Sequence, residues 1–166
     1  GMLPIARKAV EWGAAMLAVA TVGEGIELRK AGIKIPVLVM VQPDPSALAA
    51  AVEHGLTLMV SDVATCERLG ELAHRANKVV PVHCKIDSGM GRQGFPLQHA
   101  VEQVQFLTRI SPIDIEGVAT HFPSSDEPDD PFTYNQIRQF KQLLRQFDKS
   151  GIPYEIAHAA SSAAIL

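Results

Sequence analysis

Three charged side chains, Lys85, Asp87 and Arg92, crowd the segment KIDSGMGRQGF (85–95), directly after the apolar run VVPVHC (79–84). A lysine at an inward-facing strand position is a buried ammonium, which is costly unless it is paired or chemically changed. Asp87 lies two residues on, so it faces the same side of a strand and is a candidate partner, whereas Arg92 adds to the positive charge. Balance therefore calls for a ligand anion, a carboxylate from Asp87 or elsewhere, or a covalent change to the lysine itself. Gly89 and Gly91 permit positive φ and a loop folded tightly over whatever these charges bind. Further along, His121 ends the apolar segment IDIEGVATH (113–121), and His158 ends PYEIAH, followed closely by Ser161 and Ser162. Together these residues offer acid–base groups, hydroxyls and anion-binding cations, the equipment of a site for a small anionic ligand.

The elements that would position them follow from hydropathy. Nearly continuous apolar runs at 16–20, 36–41, 56–61, 79–87, 113–121 and 153–159 alternate with amphipathic stretches at 22–31, 46–54, 63–76, 97–110 and 133–149. Continuous apolar character marks strands covered on both faces, as in a parallel sheet. Gly32 terminates the helix over 22–31, Pro45 suits a first helical turn, and Ser61 or Asp62 can cap the segment from 63. This βα rhythm predicts an α/β fold, either an open doubly wound sheet or a closed (β/α)8 barrel. GMGRQG (89–94) lacks dinucleotide-site spacing and follows the fourth strand, not the first. In both architectures function gathers at the carboxyl ends of strands, where Thr21, Gln42, Ser61, Lys85, Arg92, His121 and His158 all fall.

Composition narrows the class. The chain has 166 residues, 47% of them hydrophobic, and a net charge of −3 with both signs interspersed. That supplies one domain's core and no basic stripe for nucleic acid or a membrane surface. No apolar run approaches the roughly 18 residues of a membrane span, and no secretory leader is legible, so a cytoplasmic protein is expected. Cys66 and Cys84 fall short of a metal framework and are expected to be free, buried thiols.

Four blocks carry a resemblance to a known family: GAAMLAVATVGEGIELRKAGIKIPVLVM (13–40), HCKIDSGMGRQGF (83–95), GVATHFPSSDEPDDPFTYNQIRQF (117–140) and HAASSAAIL (158–166). In the same order and at similar distances they resemble alanine racemase. The resemblance implies the N-terminal barrel of that family over residues 2–166, an incomplete (β/α)8 barrel whose six strands are the family's second to seventh, without the C-terminal β domain. It implies pyridoxal 5'-phosphate as cofactor, an amino acid as substrate, D-alanine supply for the cell wall as role, and a homodimer. Arg92 matches the residue expected to hydrogen-bond the cofactor's pyridine nitrogen, and His121 the histidine beside its ring; these are the expected catalytic positions. Met40 matches an apolar neighbour of the cofactor, Ser161 and Ser162 lie where its phosphate is held, and His158 matches a supporting histidine. Lys85 matches a lysine that is carbamylated in many members, which would turn a cation into an anion able to pair with Arg92.

Two departures qualify those expectations. The family reads His-x-x-Asn-Ser where this chain reads His158-Ala-Ala-Ser161-Ser162, so a shorter hydroxyl replaces an amide and another substrate, such as serine, stays open. The lysine that carries the cofactor covalently and the tyrosine from the partner subunit have no counterpart here; Lys8 sits in a helix-like setting. Racemisation by this chain alone is accordingly not expected, and a non-catalytic cofactor-binding barrel is the alternative. The exposed strand edges at 16–20 and 153–159 predict self-association.

Overall fold

A computed structural model describes residues 1–127, 129, 131–159 and 161–165, apart from the side chain of Ser162. Helix α1 (Met2–Glu11) leads into strand β1 (Leu17–Val19) and helix α2 (Val22–Lys30), then β2 (Val37–Val39), α3 (Leu48–Glu53), β3 (Thr57–Val60) and α4 (Val63–Ala76). The second half runs β4 (Val80–Asp87), β5 (Phe95–Pro96), α5 (Leu97–Leu107), β6 (Ile113–Ala119), α6 (Pro131–Lys149), β7 (Ile156–His158) and α7 (Ser162–Ile165). Six of the strands pair in parallel in the order β1-β2-β3-β4-β6-β7, curled into part of a (β/α)8 barrel, and β5 adds to β4 alone. The expected six-strand α/β rhythm is therefore present. The first strand, expected over 16–20, narrows to Leu17–Val19, and the last, expected over 153–159, to Ile156–His158; the helix expected over 46–54 opens with a 3-10 turn at Pro45–Ala47.

Local sequence explains the boundaries. Thr21 accepts from the Glu24 backbone N–H while the Glu24 carboxylate accepts from the N–H of Thr21, a capping box that starts α2. Asp62 does the same service for α4 through the Thr65 N–H at 2.7 Å. At the amino-terminal side of the sheet, the Arg29 guanidinium donates to the carbonyls of Ile33, Ile35, His54 and Gly55, tying the turns after α2 and α3 together.

The alternation of each strand divides its side chains between two environments. Val37, Val39, Leu58, Val60, Val82, Cys84, Ile86 and Val118 face the helices and form the main core. Leu38, Met59 and Ala119 face the opposite, concave side. By the same period, His83 and Lys85 share the concave face with Met59, whose Cα is paired directly with that of His83. Cys66 and Cys84 are buried and free; burial pushes the Cys66 thiol up to about 12 and the Cys84 thiol well above its ordinary value, so both are packing groups.

Candidate functional site

The carboxyl ends of the strands open on a cleft of about 590 Å³. Met40, Val41 and Met59 give it an apolar wall, and Lys85, Arg92, His121, His158 and Ser161 give it a polar one. Register explains part of that convergence: Lys85 on β4, Ala119 on β6 and His158 on β7 lie side by side in one row of the sheet. Because Ala119 contributes only a methyl group, little stands between the long side chains on either side, and the Lys85 charge acts on His158 across it. Of the residues singled out in the sequence, the structure brings together Met40, Lys85, Arg92, His121, His158 and Ser161. The Ser162 side chain lies outside what is described. Thr21, Gln42 and Ser61 are engaged elsewhere: Thr21 caps α2, and the Gln42 amide joins Ser61 to Asp62 and Thr65.

Asp87 does not take the role of a dedicated Lys85 partner. Its carboxylate accepts the N–H groups of Gly89, at 2.9 Å, and Gly91, at 3.0 Å, folding the loop that carries Arg92. Gly94 closes that loop at φ +141°, and a Cβ there would stand 2.4 Å from the backbone nitrogen of Asp87. Only glycine fits so close an approach. Beneath the loop, the buried Gln136 amide on α6 donates to Ser88 Oγ at 3.1 Å and to the carbonyl of His121 at 3.2 Å. Ser88 and Thr120 are themselves joined at 2.7 Å, so the loop and the end of β6 form one hydrogen-bonded unit.

The electrostatics follow from burial and from the two cations. Desolvation, then the neighbouring Arg92 charge, lowers the Lys85 ammonium to about 8, with Asp87 opposing. Part of the Lys85 population is therefore a free amine near neutral pH, the form that is nucleophilic. Burial, then Lys85 and Arg92, also lowers His121, which disfavours the charged ring. His158 falls to about 4, mainly from burial, with His83 and Lys85 adding to the shift. Ser161 Oγ lies 2.6 Å from Ser125 Oγ, which in turn donates to the carbonyl of Phe122.

Sequence reading missed three participants: His83, Glu116 and Gln136. His83 and Glu116 had a signal, since the first shares the face of Lys85 by strand period and the second is a charge inside an apolar strand. Gln136 had none, because one glutamine on an amphipathic helix does not announce that it is fully buried.

Comparison with known proteins places these features in a family context. The profile described as "Alanine racemase, N-terminal domain" matches residues 1–166. The alanine racemase of Halothermothrix orenii is 41% identical over the whole of this chain, which spans 44% of that protein. The alanine racemase of Desulforamulus reducens is 36% identical, again over the whole chain and 45% of its relative. Among solved structures, alanine racemase from Clostridium difficile 630 superimposes with a TM-score of 0.96 at 34% identity, over 99% of this chain and 44% of that one. This chain thus spans less than half the length of the relatives it matches.

Proposed function

The chain belongs to the alanine racemase family, matching its N-terminal domain throughout, and from that premise we propose that its cleft holds pyridoxal 5'-phosphate for the interconversion of L- and D-alanine. The observation that carries this reading is the convergence of Lys85, Arg92, His121 and His158, from β4, the loop after it, the segment after β6, and β7, on one cleft with an apolar opposite wall. Such a surface fits a flat aromatic anion: the permanently charged Arg92 stands on the polar side, and Met40, Val41 and Met59 offer thioether and aliphatic contact to a ring.

The residues divide the work by their chemistry. When bound, the cofactor supplies an electron-withdrawing ring that makes the substrate's α-proton acidic. Arg92 is permanently charged and can only donate, so it would meet an acceptor on that ring. Of the two available, the pyridine nitrogen expected from the resemblance and the phenolic oxygen, the oxygen carries negative charge and suits a guanidinium better. His121 would pack beside the ring. Ser161 and, by the resemblance, Ser162 would hold its phosphate; for Ser161 to donate, Ser125 must turn its proton from the Phe122 carbonyl to Ser161 Oγ. Lys85, as a free amine, attacks carbon dioxide: the N–C bond forms, one C=O bond becomes a carboxylate and a proton leaves to solvent. The carbamate then pairs with Arg92.

The test exchanges the matched segment of the H. orenii alanine racemase for these 166 residues and follows racemisation of alanine and serine. The reading predicts cofactor-dependent racemisation with alanine preferred, and a loss on the order of 10²-fold on Arg92→Leu, the scale of one fixed donor at a charged centre. A folded, cofactor-loaded exchange with no racemisation contradicts it, and a preference for serine would move the substrate assignment to that amino acid, in keeping with Ser161.

A further inference from the structure

The concave face carries a chain of three polar side chains, two of which, Glu116 and His83, the proposed function leaves unused. His83 Nε2 lies 3.1 Å from Glu116 Oε2, and His83 Nδ1 lies 2.8 Å from His158 Nε2, with the two rings tilted and their centroids 5.0 Å apart. His83 is buried, Glu116 keeps 21% of its side chain exposed, and His158 reaches the cleft.

Two irregularities build this arrangement. Between Val82 and His83 the register against β6 slips, so that Val82 faces Ile115 but His83 faces Gly117, and Glu116 is carried onto the same side as the histidine. Gly117 then leaves room for the ring: a Cβ there would stand 2.6 Å from His83 Nδ1. With a hydrogen at 117 and a methyl group at 119, β6 presents no obstacle between His83 on β4 and His158 on β7.

The proton positions follow from donor and acceptor capacity. An ionised carboxylate only accepts, so His83 must donate to Glu116 from Nε2. In the neutral ring its Nδ1 is then an acceptor, and His158 must donate to it from Nε2. Burial keeps both rings toward the neutral form, and the Lys85 charge acts on His158 in the same direction. The nitrogen left over on His158 is Nδ1, carrying a lone pair and no hydrogen-bond partner among the described residues.

We propose that Glu116 and His83 are positioning residues that lock His158 in its Nε2–H tautomer and so make Nδ1 a fixed hydrogen-bond acceptor of the cleft, fitted to an N–H or O–H donor on whatever binds there. The arrangement needs only this chain and no cofactor, so it stands or falls separately from the racemase reading.

Nitrogen-15 NMR of the ligand-free chain at neutral pH, tuned to the imidazole couplings, reads the tautomers directly. The expected spectrum has Nε2 protonated and Nδ1 bare in both His83 and His158. Glu116→Leu removes the terminal acceptor, so His158 should become a mixture of tautomers; Glu116→Gln, whose amide oxygen still accepts, should restore the single form. A proton on Nδ1 of either ring, a doubly protonated His83, or a Glu116→Leu spectrum with unchanged tautomers would overturn the proposal. Should Glu116→Leu fail to fold, the spectrum of the unsubstituted chain decides by itself.

Discussion

At the scale of single residues, Lys85 is the group whose charge the site can change most readily. Its ammonium is lowered to about 8 because burial and Arg92 both disfavour the cation. His121 registers that charge, being held below its ordinary value of 6.5 by burial first and then by Lys85 and Arg92. Removing one of the two cations favours the protonated ring, so Lys85→Gln should raise the His121 midpoint toward 6.5. Adding bicarbonate to the unsubstituted chain should raise it as well, since a carbamate replaces repulsion by attraction, and should leave Lys85→Gln unaffected. An NMR titration of the His121 ring checks both; an unmoved midpoint in Lys85→Gln would mean that the two side chains do not share a site. Lys85, Arg92, His121 and His158 were legible in the sequence because charged or titratable residues ending apolar runs have few structural reasons to be there. The job of Asp87 was not legible, because two backbone N–H groups compete for its carboxylate and sequence spacing favours the lysine.

At the scale of elements, the segment from Ser88 to Gly94 sets where Arg92 stands. Asp87 folds its beginning, Gly94 its end, and Gln136 braces it from α6. Gly94→Ala places a methyl group against the backbone of Asp87 at a φ that L-residues avoid, and should destabilise the fold by about 2–4 kcal/mol. Urea unfolding measures that loss; a midpoint unchanged from the unsubstituted chain would show that the loop relaxes freely. Helix α4 fell on its expected bounds because Asp62 caps it and its apolar period is regular, and β4 fell within a residue of its own. By contrast, β5 escaped notice, as two residues cannot display a period, and α5 stopped at Leu107 although apolar residues continue to Ile110.

At the scale of the whole molecule, the sheet ends in two edges, β1 and β7, each a parallel strand of three residues. Unpaired strand edges pair with further strands. The 166-residue chain should therefore self-associate, and light scattering at rising concentration should find a mass above that of a monomer; a strictly monomeric species at high concentration contradicts that expectation. The α/β class was legible from the βα rhythm, which left a doubly wound sheet and a barrel both open, and only the resemblance of the four blocks pointed to the barrel. What was not legible was the interior of the sheet, where the slip at His83 and the glycine at 117 bring Glu116, His83 and His158 together, since a register shift leaves no mark on hydropathy.

The cleft at the strand ends is the proposed place of pyridoxal 5'-phosphate. Titrating the cofactor into isotopically labelled chain and following backbone and side-chain signals tests this directly. Saturable shifts concentrated on Met40, Lys85, Arg92, His121, His158 and Ser161, and diminished by Arg92→Leu, are predicted. Shifts confined to surface lysines such as Lys8 and Lys30, or the same response after Arg92→Leu, would contradict it.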